Sequence, residues 1–246
     1  MSTPKTLAIP GGGIYFYHLY GQLDYLREAG YTDGNPDLRL VGASAGSLAA
    51  TLFTYGVSSE VATNCAIRLS DEADLWNNPL GLAFVWGQII EEWLEELIPS
   101  GDFYSDPDSL CLLLSETSFS SLTGNSERRK VSKFRGREDL INANMCSVHI
   151  PIFLDKRLTR DFRGERFIDG SFRSRLTDYK FMPEDPLEGV VMLDYDGDER
   201  LKEKGGEGAD TFVSLISKDY VWKMIELGYT HARRRDGEGK FKGLMK

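Results

Sequence analysis

The residues best suited to chemistry stand in two glycine-rich stretches. Ser44 lies within Gly42-Ala43-Ser44-Ala45-Gly46, between an apolar run at 38–41 and an Ala/Leu-rich run at 47–55. A serine on a sharp strand-to-helix turn has its hydroxyl raised above the sheet. Glycines are needed on both flanks, because side chains there would strike the adjoining strand or helix. The backbone N–H of Ala45 would then open a helix and aim at the oxyanion that forms when Ser44 attacks a carbonyl carbon. Short Gly/Ser/Ala runs also make plain tight turns, so the weight of this one comes from its position between strand and helix. Gly11-Gly12-Gly13 likewise follows an apolar run, at 6–10, and precedes a helical one. Three successive glycines let a backbone approach a ligand with its N–H groups exposed, and they supply the other half of an oxyanion hole. A dinucleotide loop would need glycine where Phe16 stands, and the phosphate-loop pattern GxxxxGK[ST] is absent.

A serine nucleophile needs a base, which in the familiar triad is a histidine held by an acid. Only His18, His149 and His231 are available. His18 falls inside a helical run, and His149 precedes a strand candidate. His231, beside Arg233, Arg234 and Arg235, reads as a solvated helical residue, although its place late in the chain is the one an α/β-hydrolase would use. Asp169, in Phe167-Ile168-Asp169-Gly170-Ser171, offers another base: a carboxylate at the end of a short apolar strand, with Gly170 completing the turn. Held against a hydroxyl and shielded from water, it could take the proton directly. Read alone, Asp-Gly is a common turn pair.

The elements that must position these groups alternate. A strand at 6–10, a glycine loop, a helix at 14–29 ended by Gly30, a strand at 38–41, the Ser44 turn and a helix at 47–55 open the chain. That order predicts a single-domain, three-layer α/β/α fold with a mostly parallel central sheet. Helices follow at 58–69 and 80–98, the latter with Trp86, Ile89, Ile90, Trp93, Leu94 and Leu97 on one side and glutamates on the other. Trp76, Phe84, Trp86 and Trp93 suit either a core or the wall of an acyl-chain groove. Ser105-Asp106-Pro107 has the form of a helix start. Residues 118–136 read as an exposed loop, and 150–154, 166–168, 187–193 and 211–217 as strands. Residues 194–210 read as a mobile acidic loop and 218–235 as a last helix, with a flexible tail from about 236 to 246.

The chain has 246 residues and a net charge of −9. That length suits one domain. The charge argues against a nucleic-acid partner and gives no general attraction to anionic membranes. Cys65, Cys111 and Cys146 are too few and too scattered for a disulfide framework or a zinc site, and they read as reduced thiols of a cytoplasmic protein. Residues 1–6 are polar and the apolar run from Leu7 is soon broken by Gly11, which suits neither a signal peptide nor a membrane span. Asp194-x-Asp196-x-Asp198 lacks the glycine and the closing glutamate of a calcium loop, so no metal is expected. Arg233 to Arg235 fit a helix C-terminus.

Taken in order, these motifs resemble the patatin-like phospholipase family. The likeness rests on Gly11 to Gly13, on Gly42 to Gly46 and on Asp169-Gly170, supported by Ser147-x-x-Ile150-Pro151-x-Phe153 and Leu227-Gly228-Tyr229. The resemblance implies a Ser44–Asp169 dyad with no catalytic histidine. It implies an oxyanion hole from Gly11, Gly12, Gly13 and Ala45, no cofactor, and hydrolysis of phospholipid, lysophospholipid, galactolipid or glyceride esters. A peripheral contact with a membrane or lipid droplet would follow from such a substrate; no oligomeric state is implied. The sequence departs from the family pattern at Ile14 and Tyr15, where a basic residue is common, at Ser171, where Gly or Ala is usual, and in lacking an Asn-Pro a few residues later. Two other readings compete: a catalytically silent lipid-binding or scaffold protein of the same fold, and an α/β-hydrolase that uses His231.

Overall fold

The apolar runs that precede the two glycine stretches form neighbouring strands. In the computed structural model, which describes residues 5–32, 35, 37–100, 109–117, 127–171, 190–202 and 217–245, β1 (Lys5–Ile9) lies parallel to β2 (Leu38–Ala43), with Leu7 opposite Leu40. On the far side of β2 lies β3 (Leu110–Glu116), also parallel. Two antiparallel strands join β3: β4 (Glu127–Val131), and β6 (Glu165–Ile168), the partner of β5 (Arg160–Phe162). Finally β7 (Val190–Met192) runs parallel to β1. The expected parallel arrangement holds for β7, β1, β2 and β3; the antiparallel strands beyond β3 were not foreseen.

A strand has two edges, and three strands share β3. β4 occupies one edge from Leu112 to Glu116, while β2 pairs with Leu110 to Leu113 and β6 with Ser115 and Glu116. β2 and β6 must therefore lie on the same edge, end to end. β2 runs up this edge and leaves it after Ala43, opposite Leu113; β6 runs down it and leaves after Ile168, opposite Ser115. The next residues of the two strands are Ser44 and Asp169, which arrive from opposite directions at the level of Leu114.

The helices are α1 (Phe16–Glu28), preceded by a 3-10 turn at Gly13–Tyr15, α2 (Ala45–Thr54), α3 (Ser59–Glu72), α4 (Trp86–Leu97), α5 (Arg137–Ser147), the short α6 (Glu199–Lys202) and α7 (Lys218–Gly237). One continuous core cluster reaches from Leu7 to Leu244, and a smaller one, made of Val41, Ala43, Cys111 and Leu113, fills the opposite face of β2 and β3. α1 and α7 cross at backbone contact. A Cβ on Gly228 would overlap the His18 carbonyl, and one on Gly21 the Ile225 carbonyl. The Leu227-Gly228-Tyr229 motif thus marks a helix crossing, which Tyr229 extends by donating to Glu28 at 2.6 Å.

Several expectations need correction. Residues 150–154 turn instead of forming a strand, with Leu154 N–H bonded to the Ile150 carbonyl at 3.2 Å. The helix expected from 80 begins at Trp86, after turns. Within the expected loop at 118–136, Glu127–Val131 is a strand paired with β3, its side chains alternating between exposed and half-buried. Residues 194–202 are structured, with Asp198 buried. Past Asp236 the chain is held down: Tyr25 and Tyr31 both donate to the Asp236 carboxylate, and Phe241 and Leu244 are buried. The helix start at 105–107 and residues 211–216 of the strand expected at 211–217 fall outside the described residues, and Ser217 caps α7.

Candidate active site

The turn after β2 forces Ser44 into φ 52, ψ −128. A non-glycine residue held there stores strain, which endures where the surroundings over-determine it. They do so here. A Cβ on Gly42 would overlap the Gly46 carbonyl oxygen, and one on Gly46 the carbonyl oxygen of Ile9. β1, β2 and α2 thus close on one another at backbone distance. Ser47 donates to the Ser44 carbonyl at 2.6 Å, and Ser44 N–H donates to Ser147 Oγ at 3.0 Å.

Ser147 ends α5 and ties the two halves of the site together. Its hydroxyl donates to the Leu113 carbonyl at 2.7 Å, and its own carbonyl accepts from Gly170 N–H at 2.9 Å. The neighbouring Asp169 N–H donates to the His149 carbonyl at 2.8 Å. Gly170 is required, since a Cβ there would overlap the Leu113 carbonyl. The Ser147-to-Phe153 motif therefore begins as a clasp, bonded to the Ser44 backbone on one side and the Asp169-Gly170 turn on the other.

Asp169 is 2% exposed. Ser171 donates to its Oδ1 twice, from N–H and from Oγ, each at 2.8 Å. A Cβ placed on Gly11 would overlap Ser171 Oγ and lie 2.9 Å from Ser44 Cβ. Gly11 thus stands where the serine turn and the aspartate turn come together, and the missing side chain makes room for both.

Tyr195 completes the glycine loop, and the sequence reading missed it. Its hydroxyl donates to the Gly11 carbonyl at 2.9 Å, its ring stacks on Tyr15 at 4.3 Å, and its edge covers Gly12. In a trans peptide C=O and N–H point opposite ways. Fixing the Gly11 carbonyl toward Tyr195 therefore turns the Gly12 N–H the other way. A tyrosine among aspartates gave no sign of this role. The departure at Tyr15 now has a structural correlate in that stacked pair.

Ser44, Ala45 and Gly13 open onto an apolar cavity. Its walls come from Phe16 and Tyr17 of α1, Leu75 and Trp76, Trp86, Ile89, Ile90 and Trp93 of α4, and Phe153 and Leu154. Of the four aromatics, Trp76, Trp86 and Trp93 line the cavity, Trp93 being also buried and donating to the Ala62 carbonyl at 2.8 Å, whereas Phe84 is not among the lining residues and is exposed. Burial raises the Tyr17 hydroxyl pKa well above its usual value.

His231 belongs to a second polar cluster and is fully buried, contrary to the solvated residue expected. Its Nε2 lies 3.4 Å from Asp194, and its Nδ1 lies 3.7 Å from Asp198 and 3.2 Å from the Arg234 guanidinium. His18 Nε2 lies 3.1 Å from Asp198 Oδ2, and Gln22 donates to His18 Nδ1 at 3.2 Å. Arg200 grips both oxygens of Asp198, at 2.7 and 2.6 Å. Burial alone would raise the Asp198 pKa, yet hydrogen bonds from Arg200 and His18 hold it well below the ordinary carboxylate value. Burial pushes His18 down to about 4. His18, Asp198 and His231 have the spacing of a metal site. With Arg200 on both Asp198 oxygens and Arg234 beside His231, cations already occupy the positions from which an ion would be held, so the cluster fits a staple joining α1, α7 and the 194–202 segment. None of its members borders the cavity at Ser44. Arg235, for its part, pairs with Asp194 at 2.9 Å.

Comparison with known proteins points to a family. A family model described as patatin-like phospholipase matches residues 7–177. The omega-hydroxyceramide transacylase of Mus musculus is 27% identical over 173 residues, covering 70% of this chain and 28% of that protein. The patatin-like phospholipase domain-containing protein 2 of Homo sapiens is 30% identical over 180 residues, 72% of this chain and 34% of that one. The chain thus spans about a third of the length of these curated relatives. VipD from Legionella pneumophila superposes with a TM-score of 0.53 at 12% identity, over 95% of this chain and 66% of VipD, a likeness of fold.

Proposed function

Since the chain belongs to the patatin-like phospholipase family, we propose that it hydrolyses carboxylic esters of lipids by two-step acyl transfer, with Ser44 as nucleophile and Asp169 as base. The observation that carries this reading is the junction at Gly11. There the strained serine, the buried carboxylate held by Ser171 and an apolar cavity adjoin a loop of glycine amides.

In the first step Ser44 Oγ bonds to the ester carbonyl carbon and its proton passes to Asp169. The tetrahedral oxyanion is met by N–H groups of the Gly11 to Gly13 loop and of Ala45, each donor lowering the barrier by roughly 3 kcal/mol. The carbon–oxygen bond to the alcohol breaks, and Asp169 returns the proton to that alcohol. In the second step water attacks the acyl-enzyme, gives its proton to Asp169, and the acid departs as Ser44 regains a proton. Asp169 stays oriented throughout by two bonds to Oδ1. The scheme uses no metal and no cofactor. The acyl chain would lie against Phe16, Leu75, Trp86, Ile89 and Trp93, which favours phospholipid, lysophospholipid or acylglycerol esters over small polar ones. The described residues share one core, which supports reading them as one hydrolase domain. The protein would act from the cytoplasm on a lipid surface.

The test is a fluorophosphonate probe with a panel of lipid esters. Labelling at Ser44, with kcat/KM reduced on the order of 10³-fold or more in Asp169→Asn, is the expected result. An unlabelled Ser44 would instead mean a silent lipid-binding protein. Activity retained in Asp169→Asn and lost in His231→Ala would move the base to the histidine.

A further inference from the structure

Seven large hydrophobic residues are exposed among those described, and four of them crowd onto two turns. Leu80 (62% exposed) and Phe84 (38%) lie in the turns before α4, and Ile152 (53%) and Leu158 (49%) in the turns after α5. The two segments are joined. Phe84 N–H donates to the Phe153 carbonyl at 2.8 Å, and Ile152 N–H to the Arg157 carbonyl at 2.7 Å. The Lys156 ammonium sits 5.4 Å from the centre of the Phe84 ring, and both Lys156 and Arg157 are exposed.

The backbone at these side chains is strained. Six non-glycine residues among those described have positive φ, and three are here: Phe84 at 68, Ile152 at 69 and Lys156 at 66. For a β-branched residue such as isoleucine this conformation is a genuine outlier. Strain of that kind persists where the surrounding structure over-determines it, and it clusters at functional sites. The backbone conformation alone would favour glycine or asparagine at 84 and 152, and the exposure of Leu80, Ile152 and Leu158 leaves little packing reason for large apolar groups there.

Residues interleaved with the exposed ones face the other way. Leu82, Trp86, Ile150, Phe153 and Leu154 line the cavity that begins at Ser44. One pair of turns thus presents apolar side chains to solvent on one side and builds the wall of the cavity on the other. Four side chains on two turns fall well short of the roughly 800 Å² per partner that a stable protein interface buries. A lipid surface has no such threshold, since each inserted side chain contributes separately.

We propose that these two turns dock the protein on a zwitterionic phospholipid surface. Leu80, Phe84, Ile152 and Leu158 enter the headgroup–acyl boundary, Lys156 and Arg157 stay at the level of the phosphates, and a lipid chain passes from the bilayer into the cavity beside them. The net charge of −9 makes apolar insertion the driving force, with the two cations setting depth. The purpose given to this surface rests on the hydrolase reading; the binding itself does not.

The test uses the Ser44→Ala chain, so that vesicles stay intact, and phosphatidylcholine vesicles in a sedimentation assay. Phe84→Asn and Ile152→Asn should each weaken partitioning about tenfold, and together about a hundredfold. Both should leave Tm unchanged or raised, because asparagine accepts the left-handed conformation more readily. In the Ser44 background the double variant should hydrolyse a soluble short-chain ester at the native rate. Undiminished vesicle binding in the double variant overturns the proposal. A clear drop in Tm also overturns it, by showing that these side chains serve the fold. So does loss of a dimer in the variant with vesicle binding retained. If no ester is hydrolysed by the native chain while the variants still lose vesicle binding, docking stands and the hydrolase reading falls.

Discussion

Two buried polar clusters in this molecule invite opposite conclusions from those their residue types suggest. The cluster of His18, Asp198, His231 and Arg200 contains a histidine–aspartate pair at 3.1 Å, the familiar mark of an activated nucleophile. Yet it holds no serine or cysteine, arginines flank its acid and one of its histidines, and it lies off the cavity. The cluster of Ser44, Asp169, Ser147 and Ser171 has no histidine. It has a strained backbone, a buried carboxylate, an adjacent glycine loop and an apolar chamber. What separates them is strain and access, since each is buried and hydrogen-bonded. A charge fully compensated by neighbours suits a staple between helices; a buried carboxylate near a strained serine and an apolar cavity is the arrangement on which the proposed chemistry rests.

The comparison can be broken most sharply at Gly11. Gly11→Ala should leave the sheet and helices in place but push the serine and aspartate turns apart, because its Cβ would crowd Ser171 Oγ and the Cβ atoms of Ser171 and Ser44. It should still lower kcat/KM by about 10²-fold, as misplacement of a reacting group by about 1 Å does. Native activity in a folded Gly11→Ala protein would mean that the junction is not where chemistry occurs. On the other side, Asp198→Asn should cost about 3 kcal/mol of stability in a denaturant titration, since Arg200 and His18 lose their buried partner. It should change kcat/KM only a few-fold; a collapse of activity without loss of stability would undo the contrast. The smallest effect is in pH. His18 is held down to about 4 from 6.5, so the unfolded chain binds a proton between those values that the folded one refuses. Stability should therefore rise as pH climbs from about 4 to 6.5, by up to roughly 3 kcal/mol, and level off above that window. His18→Gln should flatten this slope, as read from Tm across a buffer series.

The sequence made the tight places legible. Gly42, Gly46 and Gly170 are glycines because a neighbouring carbonyl occupies the space of a Cβ, and that need shows as a local motif. What it hid was non-local. β3 was not foreseen, since the nearest signal, at 105–107, has the form of a helix start, and only its pairing with β2, β4 and β6 reveals it as the strand against which both turns are aligned. α5 carries no clear apolar stripe, so the clasp at Ser147 was visible only as a motif without a role. β4 is charged and looks like a loop. His231 beside three arginines looked solvated because Asp194 and Asp198 lie on a distant segment. Tyr195 was obscured by acidic neighbours for the same reason. The strand assigned to 150–154 failed because a short apolar run cannot by itself distinguish a strand from a turn whose residues face a cavity.

The clasp has a consequence for the protein's birth. Ser44 N–H waits for Ser147, which lies 103 positions further along the chain. At 5–20 residues per second a ribosome needs roughly 5 to 20 seconds to cover that distance, and longer to deliver Asp169. During that interval the nascent polypeptide carries its would-be nucleophile without a base. On the proposed reading, a half-made copy would lack its base, and activity toward lipid esters would arrive only once residues up to Asp169 have been synthesised.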